Sequence, residues 1–174
     1  IVDNEDAGFQ VINSGTFYHL LEGGKQNITD KYTNMTHWLI PDDHWRYFID
    51  YNAYGKFVRS AVIRNSGKGM TCAEWSVDLK RKGRYEVFVY LPKFTYSKVF
   101  TKNRNPDINS LPFTYTISST DGENEITIQT KQDKEWVSLG VYNYTPGHYS
   151  VKLSDKGEAD YSVVADAVKW VYIE

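Results

Sequence analysis

Ala73-Glu74-Trp75-Ser76-Val77-Asp78-Leu79 is the stretch that decides how this chain folds. Apolar and polar residues alternate without a break. In a pleated strand Ala73, Trp75, Val77 and Leu79 share one face and Glu74, Ser76 and Asp78 the other. A helix would scatter the same apolar residues around its axis, so the period of two predicts a strand buried on one side. A turn at Lys82-Gly83 follows, and then Tyr85–Leu91 repeats the pattern with Tyr85, Val87, Val89 and Leu91 inward. Its other face carries Phe88 and Tyr90 and is expected to be covered as well. Pro92, which cannot donate to a ladder, stops the strand.

Outward from this pair the same signal recurs at Phe57–Arg64, Phe113–Ser118, Glu125–Thr130, Trp136–Tyr142, Tyr149–Leu153 and Val163–Tyr172, with a short opening strand at Ile1-Val2. Asp121-Gly122 predicts a hairpin, and Pro146-Gly147 a turn before Tyr149. The helix candidates are short pieces near Phe17–Leu21 and Trp45–Ile49. About eight or nine strands separated by turns indicate an all-β antiparallel β-sandwich or jelly roll. Residues 10–56 and 92–111 are irregular, and long connections on a rigid β scaffold are where function concentrates.

At 174 residues and 41% hydrophobic content the chain fits a single β-sandwich domain spanning 1–174. It starts at Ile1, which reads as a module excised from a larger multidomain protein. The net charge of -2 argues against a nucleic-acid partner, whose phosphates call for a clustered basic face. The one basic cluster, Lys80-Arg81-Lys82-Gly83-Arg84, reads as a solvated turn. No apolar stretch of about 18 residues is present to span a membrane. The single cysteine, Cys72, excludes an internal disulfide and reads as a buried thiol. Sequons at Asn27, Asn34 and Asn143 arise often by chance.

Four segments occur in a familiar order: Val2-Asp3-Asn4-Glu5-Asp6-Ala7-Gly8-Phe9, Gly83-Arg84-Tyr85-Glu86-Val87-Phe88-Val89, Trp136-Val137-Ser138-Leu139-Gly140, and Val163-Val164-Ala165-Asp166-Ala167-Val168-Lys169-Trp170. In this order the chain resembles the golvesin C-terminal, xanthan-lyase-type carbohydrate-binding-like domain of bacterial secreted proteins. The resemblance covers the first nine residues and roughly 73–172, and leaves 10–56 and 92–111 aside. It implies a galactose-binding-like jelly roll, secreted or at the bacterial cell surface, that accompanies extracellular enzymes. A looser likeness to calcium-containing sugar-binding jelly rolls rests on the Gly-x-Tyr-x-Val strand and the late Asp of the last strand.

Five Trp, fourteen Tyr and eight Phe make the chain 16% aromatic. Pyranose rings present apolar C–H faces that stack on exposed rings, while Tyr and Trp add a polar tip for the hydroxyls. The candidates in or beside loops are Trp38, His44, Trp45, Tyr47, Tyr51, Tyr54, Tyr96 and Tyr144. Alternatively, such rings fold back over the sandwich ends. Trp75, Trp136 and Trp170 lie in strands and are expected in the core.

Asp166 falls where the alternation calls for an apolar residue, so its carboxylate must be satisfied. One reading is a structural calcium held by Asp3, Glu5 and Asp166 with backbone carbonyls. The other has Asp166 accept backbone N–H groups of the N-terminal segment. No cofactor is required on either reading. His19, His37, His44 and His148 show no metal-ligand spacing, and no nucleophile elbow, phosphate loop or dinucleotide fingerprint is present. Asp42-Asp43-His44 reads as solvated loop charge.

The expected function is thus a non-catalytic accessory module that stacks exposed aromatics on a polysaccharide or oligosaccharide. The rivals are a domain docked on a neighbouring catalytic domain, and a glycoside or ester hydrolase.

Overall fold

The decisive stretch lies in an interior strand of a five-stranded sheet. In a computed structural model, which describes residues 1–13, 43–92, 112–130, 135–157 and 161–174, the described residues form twelve strands. They are β1 (Val2–Asp3), β2 (Phe9–Asn13), β3 (Arg46–Ile49), β4 (Ser60–Asn65), β5 (Thr71–Leu79), β6 (Gly83–Tyr90), β7 (Pro112–Ser119), β8 (Gly122–Gln129), β9 (Trp136–Tyr144), β10 (Gly147–Ser154), β11 (Ser162–Ala165) and β12 (Ala167–Tyr172).

Three sheets result, in the orders β2-β5-β10-β7-β8, β1-β12-β6-β9 and β11-β4-β3. Every strand pairing in them is antiparallel. The chain is an all-β antiparallel sandwich, as its alternation predicts. The inward residues of the five- and four-stranded sheets merge into one buried cluster that includes Trp75, Tyr115, Ile117, Leu153, Val87, Val89, Leu139 and Val168. Each such large side chain contributes about 1.5–3 kcal/mol through removal from water. Phe9 tilts against Trp75 with centroids 5.4 Å apart.

Asp121-Gly122 makes the β7–β8 hairpin, with Gly122 at φ 111°, a conformation that glycine adopts without steric cost. First and last strands are neighbours: Val2 pairs with Val168 and Asp3 with Ala167.

Two expectations change. The Trp45–Ile49 helix candidate is strand β3, paired to β4 from Arg46↔Ile63 to Ile49↔Ser60; five residues are too few to tell a short strand from a helix turn by period. The expected strand Val163–Tyr172 is two strands, broken at Asp166. Before the break β11 pairs with β4, and after it β12 pairs with β6 and β1. One residue therefore turns the chain from one sheet into another. The helix candidate Phe17–Leu21 lies outside the described residues.

A buried ion pair ties the small sheet to the sandwich. Arg64 Nη2 on β4 lies 3.2 Å from Asp155 Oδ2, with both side chains almost wholly out of water. Arg64 also donates to Thr71 Oγ1 and, through Nε, to the Asn65 carbonyl at 3.1 Å.

Candidate functional site

Antiparallel register decides which rings share an outer face. On β6, Glu86, Phe88 and Tyr90 point away from the core residues Tyr85, Val87 and Val89. Tyr90 stands opposite Trp136 of β9, and Phe88 stands between Ser138 of β9 and Lys169 of β12. These half-buried and exposed side chains form a platform on the outer surface of the four-stranded sheet.

The loop after β3 supplies its third large ring. Tyr54, Tyr90 and Trp136 touch mutually, with centroids 5.6, 5.3 and 5.2 Å apart and all rings tilted or edge-on. Such contacts are each worth about 0.5–1.5 kcal/mol beyond area burial and hold the rings in fixed orientations. Two anchors fix the loop. Tyr54 N–H donates to Asp166 Oδ2 at 3.0 Å, and the Tyr90 hydroxyl donates to the Asn52 carbonyl at 3.1 Å. Burial first, then Glu135, push the Tyr90 hydroxyl up to about 12, so it keeps its proton and remains a donor.

Lys169 crosses the platform. Its ammonium lies 4.7 Å from the Phe88 ring centre and 4.2 Å from that of Trp136. Glu86 on the adjacent strand accepts instead from Ser138 Oγ at 2.6 Å.

The sequence candidates separate on this structure. Tyr54 belongs to the platform. Tyr51, on the same loop, is 65% exposed, and its carbonyl accepts from Arg59 Nη1 at 2.9 Å. His44 is exposed and Tyr47 half-buried; burial first, then Glu5, raise the Tyr47 hydroxyl to about 12. Trp45 and Tyr144 are corrections. Trp45 lies in the core cluster beneath the Arg64 guanidinium, which is 5.7 Å from its ring centre. Tyr144 is enclosed by Tyr85 and Tyr149, at 5.4 and 4.7 Å. Neither can stack on a sugar. Trp38 and Tyr96 lie outside the described residues.

Trp136 is corrected in the opposite direction: the core ring expected from its strand is a surface ring on the outer face. Trp75 is core, and Trp170 is partly buried and packs against the core cluster from its margin. Sequence reasoning thus missed Trp136, Tyr90, Phe88 and Lys169 as site residues. The only signal was that Phe88 and Tyr90 fall on the second face of β6.

The calcium set does not assemble. Among the described residues no three His, Cys, Asp or Glu side chains converge on a common point. Glu5 is engaged by Ser60 Oγ. Asp166 is buried, and its Oδ1 has no hydrogen-bond partner among the described residues. Desolvation raises its carboxyl from 3.8 to about 8, the Tyr54 N–H opposes this, and the charge of Asp3 adds to it. A buried carboxyl that keeps its proton answers the polar-in-core problem without a metal. The N–H that reaches it belongs to Tyr54, not to the N-terminal segment, which Asn4 and the β1–β12 pairing secure.

An open groove of about 360 Å³ crosses the outer face of the other sheet, lined by Cys72, Thr114, Thr127, Glu125 and Lys152 among others. Among the described residues no aromatic ring lines it. Cys72 there is half-buried rather than fully enclosed, and desolvation, its main influence, raises the thiol, which leaves it a poor nucleophile. Arg81 of the basic turn covers the Tyr172 ring at 3.9 Å.

The golvesin C-terminal domain family matches residues 27–172. The chain belongs to that family. The match runs through residues 27–72, which the sequence resemblance left largely aside, and does not include the first nine. The golvesin-type fold recurs in Paenibacillus xanthan lyase, with a TM-score of 0.62 at 19% identity over 99% of this chain and 13% of that one. The chain therefore spans about one eighth of that protein. Weaker likenesses include a family 61 carbohydrate-binding module in complex with β-1,4-galactotriose (TM-score 0.40, 15% identity, 74% of this chain and 88% of that one). Another is a family 35 module from Cellvibrio japonicus (TM-score 0.37, 17% identity, 70% of this chain and 84% of that one). No curated protein matches the chain. No helix among the described residues is long and apolar enough to cross a membrane.

Proposed function

We propose that this golvesin-type domain is a non-catalytic carbohydrate-binding module of a secreted or cell-surface bacterial protein. The observation that carries the reading is the platform of Tyr54, Tyr90 and Trp136, three partly exposed rings fixed by mutual contact on a rigid sheet. Ring faces accept the C–H side of a pyranose, and the polar rim of Lys169, Glu86 and Ser138 suits its hydroxyls. Affinity per site is modest; tethering to a parent protein raises the effective concentration on a polymer.

Affinity electrophoresis in gels that contain single polysaccharides tests this. Retardation on at least one polymer, lost in Trp136→Ala with the melting transition intact, supports the reading. No retardation of folded protein on any polymer refutes it.

A second reading has one observation in its favour. Phe57 is 90% exposed, and Ile49 and Tyr51 are exposed at 57% and 65%, three large apolar side chains in water within nine residues of sequence. Such a surface suits docking on an adjacent domain of the parent protein. Phe57→Ser would then weaken association with that domain and leave polysaccharide retardation unchanged. A hydrolase is the weakest reading, because Asp43 and His44 are both exposed. Turnover of chromogenic glycosides or esters, abolished by Asp43→Ala, would restore it.

A further inference from the structure

The platform carries a cation that, among the described residues, meets aromatic rings and no carboxylate. Lys169 stands on β12 directly opposite Phe88 of β6, and its side chain extends over β6 to reach Trp136. Among the described residues no carboxylate pairs with it. The nearest opportunity in the sheet is Glu86, opposite Val171 on the same outer face, and Glu86 is taken by Ser138 Oγ. The aromatic faces stabilise the positive charge but accept no in-plane hydrogen bond, so among the described residues the N–H groups of the ammonium have no acceptor. A second cation, Arg59, lies close enough to Tyr90 to act on its hydroxyl, and spends one N–H on the Tyr51 carbonyl. Against these stand Glu86 and Glu135, the former already engaged by a hydroxyl and the latter exposed at the edge beside Tyr90.

A neutral sugar needs hydroxyl partners and ring faces, not a free ammonium between two rings. A uronate offers both halves of what this surface presents: an apolar pyranose face for the open ring surface of the platform and an equatorial carboxylate within reach of a lysine whose ammonium lies over the Trp136 ring. The ammonium held against the rings has already lost part of its conformational freedom, so less entropy opposes the contact with an anion than for a free surface lysine. We propose that the platform recognises acidic polysaccharides, with Lys169 donating to a sugar carboxylate while the open ring surface stacks on the sugar. This rests on the carbohydrate reading above and adds the charge class of the ligand.

Affinity electrophoresis of the full chain on alginate and polygalacturonate gels, beside hydroxyethylcellulose and galactan gels, tests it. The variants are Lys169→Met, Lys169→Arg and Trp136→Ala, each checked for an unchanged melting transition. The expected result is stronger retardation on the uronate gels, weakened about tenfold by Lys169→Met (about 1.4 kcal/mol), largely kept by Lys169→Arg, and abolished by Trp136→Ala. Salt of roughly 1 M, where the screening length falls to about 3 Å, should reduce retardation of wild type on uronates and leave Lys169→Met little changed. Equal retardation of wild type and Lys169→Met on uronates overturns the inference. So does a preference for the neutral gels, while binding that still depends on Trp136 keeps the carbohydrate reading alive. No retardation on any gel sinks both.

Discussion

Replacing Asp166 by Asn should stabilise the protein at neutral pH, and the structure sets the size of the effect. The carboxyl is buried, bonded through Oδ2 to Tyr54 N–H, and, among the described residues, without a partner at Oδ1. Its folded-state value is raised from the ordinary 3.8 to about 8, chiefly by desolvation. A raised value means that the folded state holds a proton which the unfolded chain releases. The group's contribution to stability is therefore fully present below about pH 4 and is lost as pH rises through about 8. Across that window the loss is about 1.4 kcal/mol per pH unit, which amounts to about 4 kcal/mol by pH 7. Asn is neutral at every pH and still offers an oxygen to Tyr54 N–H. Its amide leaves buried N–H groups unpaired, at a cost of about 1–3 kcal/mol. The net gain at pH 7 should be about 1–3 kcal/mol, or about 2–4 °C in melting temperature per kcal/mol for a chain of this size.

Urea denaturation followed by tryptophan fluorescence from pH 4 to 8.5 measures this. Wild-type stability should fall across the range more steeply than that of Asp166→Asn, and the advantage of the variant should vanish at about pH 5 and reverse by pH 4. Parallel pH profiles with the variant less stable throughout would refute the reasoning. So would a rise in the wild-type midpoint on addition of calcium that the variant lacks, because the carboxylate would then be ionised and bound to the metal.

Other substitutions test other parts of the framework. Asp155→Ala strands the buried Arg64 guanidinium and should cost about 3–5 kcal/mol in urea denaturation, whereas the double change Arg64→Met/Asp155→Leu should recover most of it. Leu153→Ala, fully buried on β10, should cost about 2–5 kcal/mol, read as a lower urea midpoint with an unchanged slope. Gly55→Ala is disfavoured twice, since Gly55 has φ +139° and a Cβ would collide with the Val58 carbonyl. It should cost more than about 1 kcal/mol, and because it displaces the loop that carries Tyr54 it should also weaken polysaccharide retardation.

The strands were legible because each buries one face against the sandwich, and a two-residue period survives any uncertainty about which strand pairs with which. Inward sets such as Ala73, Trp75 and Leu79, or Tyr85, Val87 and Val89, are core in the structure as the alternation requires. The site was far less legible, because ring exposure depends on cross-strand register. Tyr144 lies two residues beyond the expected end of its strand, and the ladder continues to Gly83↔Tyr144, which carries it inward. Trp136 faces outward because it pairs with Tyr90, a partnership that neither segment reveals alone. Trp45 precedes β3 and is drawn into the core under Arg64, from a residue some twenty positions away. The misfit of Asp166 in an apolar alternation was visible, but its cause, a change of sheet in mid-strand, required the pairing partners of β11 and β12.

That change of sheet has a mechanical meaning. Residues 162–172 act as a strap whose first half is zipped to β4 and whose second half is zipped between β1 and β6, with the Trp75 indole N–H fastened to the Asp166 carbonyl at the crease, at 2.9 Å. The small sheet cannot peel away without tugging the crease, and the crease cannot loosen without disturbing a core tryptophan. Amide protons of β4 should therefore exchange with solvent in step with those of β12, as a single opening event rather than as a frayed appendage.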